Sequence, residues 1–152
     1  MQALHVFVAG VAVALLFAGC SGCEDIDVPA RPVNSRVDVL TPTEIQLQAG
    51  DVITITAKGE WDDGLGSVGP DGGSGSCAGC PVNAPRGALI GRIGEQGTPF
   101  VVGAHATIRA TASGTLFLGI NDNAEGQCAG PVGSCYDDNQ GSLCVHVQRV
   151  GT

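Results

Sequence analysis

From residue 36 onward, apolar and polar positions alternate along the chain with a period of two. Val37 and Val39 flank Asp38, and Ile45 and Leu47 flank Gln46. Ala49-Gly50-Asp51 reads as a turn. Residues 52–61 then form a β-branched run, with Ile53, Ile55 and Ala57 on one face and Thr54, Thr56 and Lys58 on the other. This spacing is that of half-buried strands, whose side chains point to opposite faces in succession. Further strands are predicted over 87–93, 100–102 and 104–110, where Ala104, Ala106, Ile108 and Ala110 alternate with His105, Thr107 and Arg109. Ser113-Gly114 turns the chain into a strand over 115–120. A last strand sets Leu143, Val145 and Val147 against Cys144, His146 and Gln148. No window carries a helical period. About eight short strands with turn signals between them predict an all-β single domain, an antiparallel β-sandwich of jelly-roll-like type.

Two long stretches break the alternation, residues 62–86 and 121–140. Their glycines and prolines exclude helix, and loops of that length inside a compact domain usually carry function. They also hold the oxygen-bearing side chains: Asp62 and Asp63; Asn121, Asp122 and Asn123; Asp137, Asp138 and Asn139. Asn and Asp favour turns for reasons of their own, because they cap their own backbone. Two such clusters together suit a calcium ion, a hard cation that takes about six to eight oxygens from carboxylates, amides and carbonyls. No EF-hand spacing is present, so the expected site is a composite of separate loops.

The formal charge of −8 disfavours nucleic acid, whose phosphates an acidic surface repels. An apolar content of 43% excludes a disordered chain. The first twenty residues contain no Asp, Glu, Lys or Arg, and the apolar run over 6–17 is too short for a membrane span but suits a signal peptide. Ala18-Gly19-Cys20 resembles a bacterial lipobox, in which the leader is cut before a cysteine that receives diacylglycerol. The expected organisation is therefore a signal peptide over 1–19, lipidated Cys20 and a tether over 20–35, and the sandwich over 36–152. Ser21 after the cysteine points to an outer-membrane or cell-surface lipoprotein, touching membrane only through its anchor. Cys23, Cys77, Cys80, Cys128, Cys135 and Cys144 are then an even set in an oxidising compartment, where disulfides are expected. Cys128 and Cys135 could staple one loop. Zinc on the Cys77–Cys80 spacing is the rival reading.

Enzyme motifs are missing. The chain has no Gly-x-Ser-x-Gly and no His-Glu-x-x-His. His105 and His146 fall on polar strand faces, and carboxylates held on calcium make poor proton shuttles. Trp61 ends an apolar strand and reads as core more than as a sugar platform. Tyr136, inside the acidic loop, reads as the aromatic that touches ligand.

Several blocks carry a family resemblance: Gly50-Asp51-Val52-Ile53-Thr54-Ile55 with Gly59-Glu60-Trp61; Gly69-Pro70-Asp71-Gly72; Gly87-Ala88-Leu89-Ile90-Gly91-Arg92-Ile93-Gly94; Ile120-Asn121-Asp122; and Asn139-Gln140-Gly141-Ser142. In this order the chain, over about residues 37–150, resembles the PA-IL-like galactophilic lectins of bacteria. The resemblance implies a small β-sandwich with one calcium at its loop end, whose coordination sugar hydroxyls complete. Carried over, Asp122, Asp138 and Asn139 would be side-chain metal ligands, and Cys135 and Asp63, or Asp62 in its place, would give carbonyls. Asp122, Asn123, Cys135, Tyr136 and Asp138 would face the carbohydrate, a galactoside or another glycan. The family's sugar-touching His and Gln have no counterpart in 71–86. A calcium-stabilised structural or adhesion module of the cell envelope, without sugar binding, is the alternative. The relatives form oligomers, and a homo-oligomer would raise weak monosaccharide binding by avidity.

Overall fold

The computed structural model describes residues 25–32, 39–123 and 134–150. The expected leader, Cys20, Cys23, Val37 and Cys128 lie outside the described residues. Among the described residues, ten strands form two antiparallel sheets, the sandwich that the alternation predicts. In the first, the order is β5 (Ser67–Val68), β4 (Trp61–Asp62), β10 (Gln140–Val150), β3 (Val52–Lys58) and β8 (His105–Arg109), with β1 (Ile26–Pro29) also on β10. In the second, the order is β2 (Thr41–Leu47), β9 (Gly114–Ile120), β6 (Leu89–Ile93) and β7 (Phe100–Val101). Ile53, Ile55, Leu143 and Val145 from the first sheet meet Leu89, Leu116, Leu118 and Ile120 from the second in one buried core. Burying these side chains supplies most of the driving force for folding.

Three departures from the sequence expectation have physical causes. Part of the expected tether is β1, which pairs Ile26 with Val145 and Pro29 with Ser142 and buries Val28 and Ala30 in the core. The expected strand over 52–61 is interrupted at Gly59, whose φ of 103° no other residue type adopts comfortably. Pairing with β10 then resumes in unchanged register, Lys58 opposite Cys144 and Trp61 opposite Gly141. The long loop after it is not structureless: β4 and β5 form a short hairpin, and bridges at Asp71–Ala88 and Ser76–Pro85 fold the remainder back on itself.

Strand β9 is apolar without alternation because both of its faces are covered. Leu116 and Leu118 face the main core, while Phe117 joins Leu40 and Ile90 in a second cluster beneath Val39 and Val82. Strands buried on both sides read as continuous apolar runs. The loop that carries Val82 is thus packed onto the sheet, which fixes one wall of the acidic end.

The turn between β2 and β3 is closed by Asp51. Its carboxylate accepts the Gln48 N–H at 2.9 Å and pairs with Arg149. The backbone hydrogen bond from Gln48, aided by Arg149, holds this carboxyl below its ordinary range. A depressed carboxyl stabilises the fold above its unfolded value and loses that contribution as pH falls through the folded one. Asp51→Asn is therefore expected to lower resistance to denaturant at neutral pH. The difference from wild type should vanish in strong acid; an equal deficit at both pH values would refute the assignment.

Candidate functional site

Three strand ends meet at one end of the sandwich: the end of β4, the end of β9 and the start of β10. The five buried polar or charged residues among the described residues, Asp63, Asn121, Asp122, Asn123 and Asn139, all belong to the segments leaving these ends. Buried polar groups are costly unless partnered, so their partners define what this end is built to do.

Asn121 is spent on structure. Its amide donates to the carbonyls of Val82 at 3.0 Å, Pro85 at 3.2 Å and Ala84 at 3.3 Å, and its Oδ1 accepts the Val82 N–H at 3.2 Å. It clamps the long loop to the end of β9 and presents Asp122 behind it. Asp122 is fully buried. Its Oδ1 accepts the Asn123 N–H at 2.7 Å and stands 2.9 Å from Arg86 Nε in an ion pair whose N–H is not aimed along the contact. Its carbonyl accepts the Tyr136 hydroxyl at 3.0 Å. Its Oδ2 has no hydrogen-bond partner among the described residues. Burial pushes the Asp122 carboxyl above its ordinary range, while the Asn123 N–H, the Asn139 amide and Arg86 pull it back. Asn139 is also buried. Its Nδ2 reaches the Ala30 carbonyl at 3.4 Å, and its Oδ1 is likewise without a partner among the described residues.

The turn after β4 supplies the other wall. Asp62 Oδ1 accepts the Gly64 N–H at 2.8 Å and Asp63 Oδ1 accepts the Leu65 N–H at 3.0 Å, so both carboxylates cap their own turn. The Asp63 carbonyl, expected as a metal ligand, accepts Arg86 Nη2 at 2.7 Å. Asp138 is exposed and lies over this same turn. A Cβ built on Gly64 would come within 2.2 Å of its Oδ2, and the φ of 82° there itself favours glycine. Asp138 and the Asp62–Asp63 turn, distant in sequence, are therefore adjacent. Asn123 is buried against the loop closed by the Cys77–Cys80 disulfide, with its Oδ1 2.9 Å from a Cβ built on Gly79. That bond removes both thiols from the zinc reading. Cys135 and Cys144 are disulfide-bonded too; the expected partner Cys128 lies outside the described residues.

The structure thus joins Asp63 and Asp122 through Arg86, sets Asn139 and Asn123 beside Asp122, lays Asp138 over the Asp62–Asp63 turn, and buries Cys135. One expectation is corrected. Tyr136 does not face a ligand: it is fully buried, because its hydroxyl finds its acceptor on the Asp122 carbonyl and its ring joins the core. It supports Asp122 from beneath. Trp61 is core, with Nε1 donating to the Gly87 carbonyl at 2.7 Å. Asp137 is exposed and pairs with Arg31 at 2.8 Å. His105 and His146 stand on the outward face of the first sheet, either side of Thr56, and belong to no part of this site.

Among the described residues no three Asp, Glu, His or Cys side chains gather as a metal cluster. The available donors are instead one buried carboxylate, one buried amide oxygen, the Asp138 carboxylate and nearby carbonyls. This all-oxygen set suits a hard cation and not a soft one. The residue that sequence reasoning missed is Arg86. The signal was its isolation: it is the sole Lys or Arg between Lys58 and Arg92, set between two acidic clusters.

No family model matches the chain, and no curated protein matches it. Among solved structures it is similar to the N-terminal domain of EclA, described as a PllA-like lectin, at 29% identity over 82% of this chain and 93% of that one, with a TM-score of 0.55. The chain has an all-β, lectin-like sandwich fold.

Proposed function

We propose that this chain is a calcium-dependent carbohydrate-binding protein whose ligand docks at the acidic end of the sandwich. The observation that carries the reading is a pair of buried oxygens on neighbouring side chains, Asp122 Oδ2 and Asn139 Oδ1, that have no hydrogen-bond partner among the described residues. Each such atom costs about 1–3 kcal/mol when left unsatisfied, and native proteins keep few of them without an ion or water to meet them. Asp122, Asn139, Asp138 and the Cys135 carbonyl would hold the ion. When bound, calcium supplies a hard centre with positions left over for paired sugar hydroxyls. Asp122 and Asp138 would accept hydrogen bonds from those hydroxyls. The lectin description of the structural neighbour supports carbohydrate as the ligand class. Diacylglycerol on Cys20 would hold the domain at the outer-membrane surface, where clustering adds avidity.

Thermal unfolding with calcium and with chelator, followed by a glycan array under both conditions, tests the reading. The expected result is a calcium-dependent rise in melting temperature and glycan signals confined to the calcium arm. Stabilisation with no glycan signal would leave the adhesion-module reading in place. No stabilisation would remove calcium from the account.

A further inference from the structure

The acidic end already contains a cation of the chain's own. Arg86 enters from the rim with its side chain 30% exposed, and it reaches Asp122, which is 0% exposed, and Asp63, which is 6% exposed. Nη2 donates to the Asp63 carbonyl at 2.7 Å, Nε stands 2.9 Å from Asp122 Oδ1, and the same Nε lies 3.7 Å from Asp63 Oδ2. Two buried carboxylates with no cation between them would suffer desolvation and mutual repulsion together, and the guanidinium offsets both. It does so incompletely. A guanidinium carries its donors in a fixed plane, and Asp122 Oδ2 and Asn139 Oδ1 stay unpartnered among the described residues. Asp122 is therefore held through Oδ1 and left without a partner at Oδ2 among the described residues.

We propose that Arg86 is the resident counter-cation of this pocket, holding Asp122 and Asp63 in the metal-free protein and competing with a divalent cation for the Asp122 carboxylate. The inference rests on the reading that the pocket takes calcium. While Arg86 pairs with Oδ1, Asp122 can offer a metal only Oδ2. Giving both oxygens requires the guanidinium to swing outward, toward the rim at which its side chain is 30% exposed. Two cations on one carboxylate also repel at short range. Arg86 thereby weakens metal binding and protects the apo fold, and by reciprocity the metal weakens the Arg86 contact by the same factor.

Calcium titration calorimetry and thermal melts of the full chain and its Arg86→Gln variant test this. The variant is expected to bind calcium about tenfold more tightly, within the range such couplings span. It should melt below wild type in chelator, with calcium closing the gap. Wild type that binds calcium beside a variant of equal or weaker affinity would overturn the proposal and leave the proposed function standing. Calcium binding by neither protein would overturn both. Should the Gln variant fail to fold, wild type labelled with ¹⁵N-arginine gives the answer. One side-chain Nε–H resonance, identified by its absence in Arg86→Lys, should move on calcium addition and return with chelator, and a resonance indifferent to calcium would overturn the proposal.

Discussion

Asp122→Asn is expected to abolish calcium-dependent stabilisation while leaving the metal-free fold intact. The substitution keeps the shape of the side chain. Asparagine Oδ1 can still accept the Asn123 N–H, and the backbone carbonyl can still accept the Tyr136 hydroxyl, because neither contact needs a charge. Burial already disfavours the charged form of Asp122, and a neutral amide avoids that desolvation. Arg86 retains the Asp63 carbonyl at 2.7 Å and the Asp63 carboxylate at 3.7 Å, so the guanidinium keeps one of its two acidic partners. In chelator the variant should therefore melt within a few degrees of wild type. In calcium the two should separate. An ion present at about 100 times its Kd stabilises the folded state by about 2.7 kcal/mol, and in a domain of this size each kcal/mol moves Tm by about 4 °C. Wild type should thus rise by about 10 °C and the variant by almost nothing. A variant that keeps the wild-type rise would remove Asp122 from the metal site. A variant that also loses its glycan signals would place ion and sugar at one site.

What the sequence made legible was whatever repeats at short range. Strands β3, β8 and β10 each alternate over several residues, and their buried positions, such as Ile53, Ile55 and Leu143, are those the alternation selects. Strand β1 was hidden because four residues between acidic and proline-bearing flanks are too few to establish a period; what makes them a strand is β10. The β4–β5 hairpin was hidden because two-residue strands in a glycine-rich stretch leave no pattern. The acidic clusters announced a candidate site by composition alone, and folding sets Asp63 and Asp122 on Arg86, Asn139 beside Asp122, and Asp138 over the Asp62–Asp63 turn. Composition could not divide the labour among them. Asp62 caps its own turn two residues on, while Asn121 clamps a loop and Tyr136 serves as a buried strut by contacts 39 and 14 residues apart in sequence. Arg86 escaped notice for the same reason, since a lone basic residue acquires meaning only when the carboxylates facing it are known.

Trp61 joins the core to the site, and replacing it should show both roles. Its ring is 1% exposed within the main cluster, and its Nε1 donates at 2.7 Å to the carbonyl of Gly87, the residue after Arg86. Trp61→Ala removes the largest buried side chain at the loop end, and large aromatic-to-alanine changes in cores cost about 3–5 kcal/mol. It also strands the Gly87 carbonyl, a loss of about 1–3 kcal/mol that overlaps with the cavity cost. Against a total stability of about 5–15 kcal/mol for an ordinary domain, the variant should be severely destabilised, with Tm lower by about 15 °C or more at about 4 °C per kcal/mol. Trp61→Phe keeps most of the buried volume and loses the hydrogen bond, so it should fall between, at about 1–3 kcal/mol. Denaturant unfolding monitored by circular dichroism ranks the three proteins without relying on the tryptophan that has been removed. The expected order is wild type, Phe, Ala, at unchanged m-value. A sugar-stacking tryptophan predicts the opposite pattern, in which glycan binding is lost while stability stays near wild type. Because Gly87 anchors the backbone beside Arg86, the Phe variant should also alter calcium affinity, which a mere core residue would not do. Unchanged calcium affinity in a destabilised Phe variant would confine Trp61 to packing.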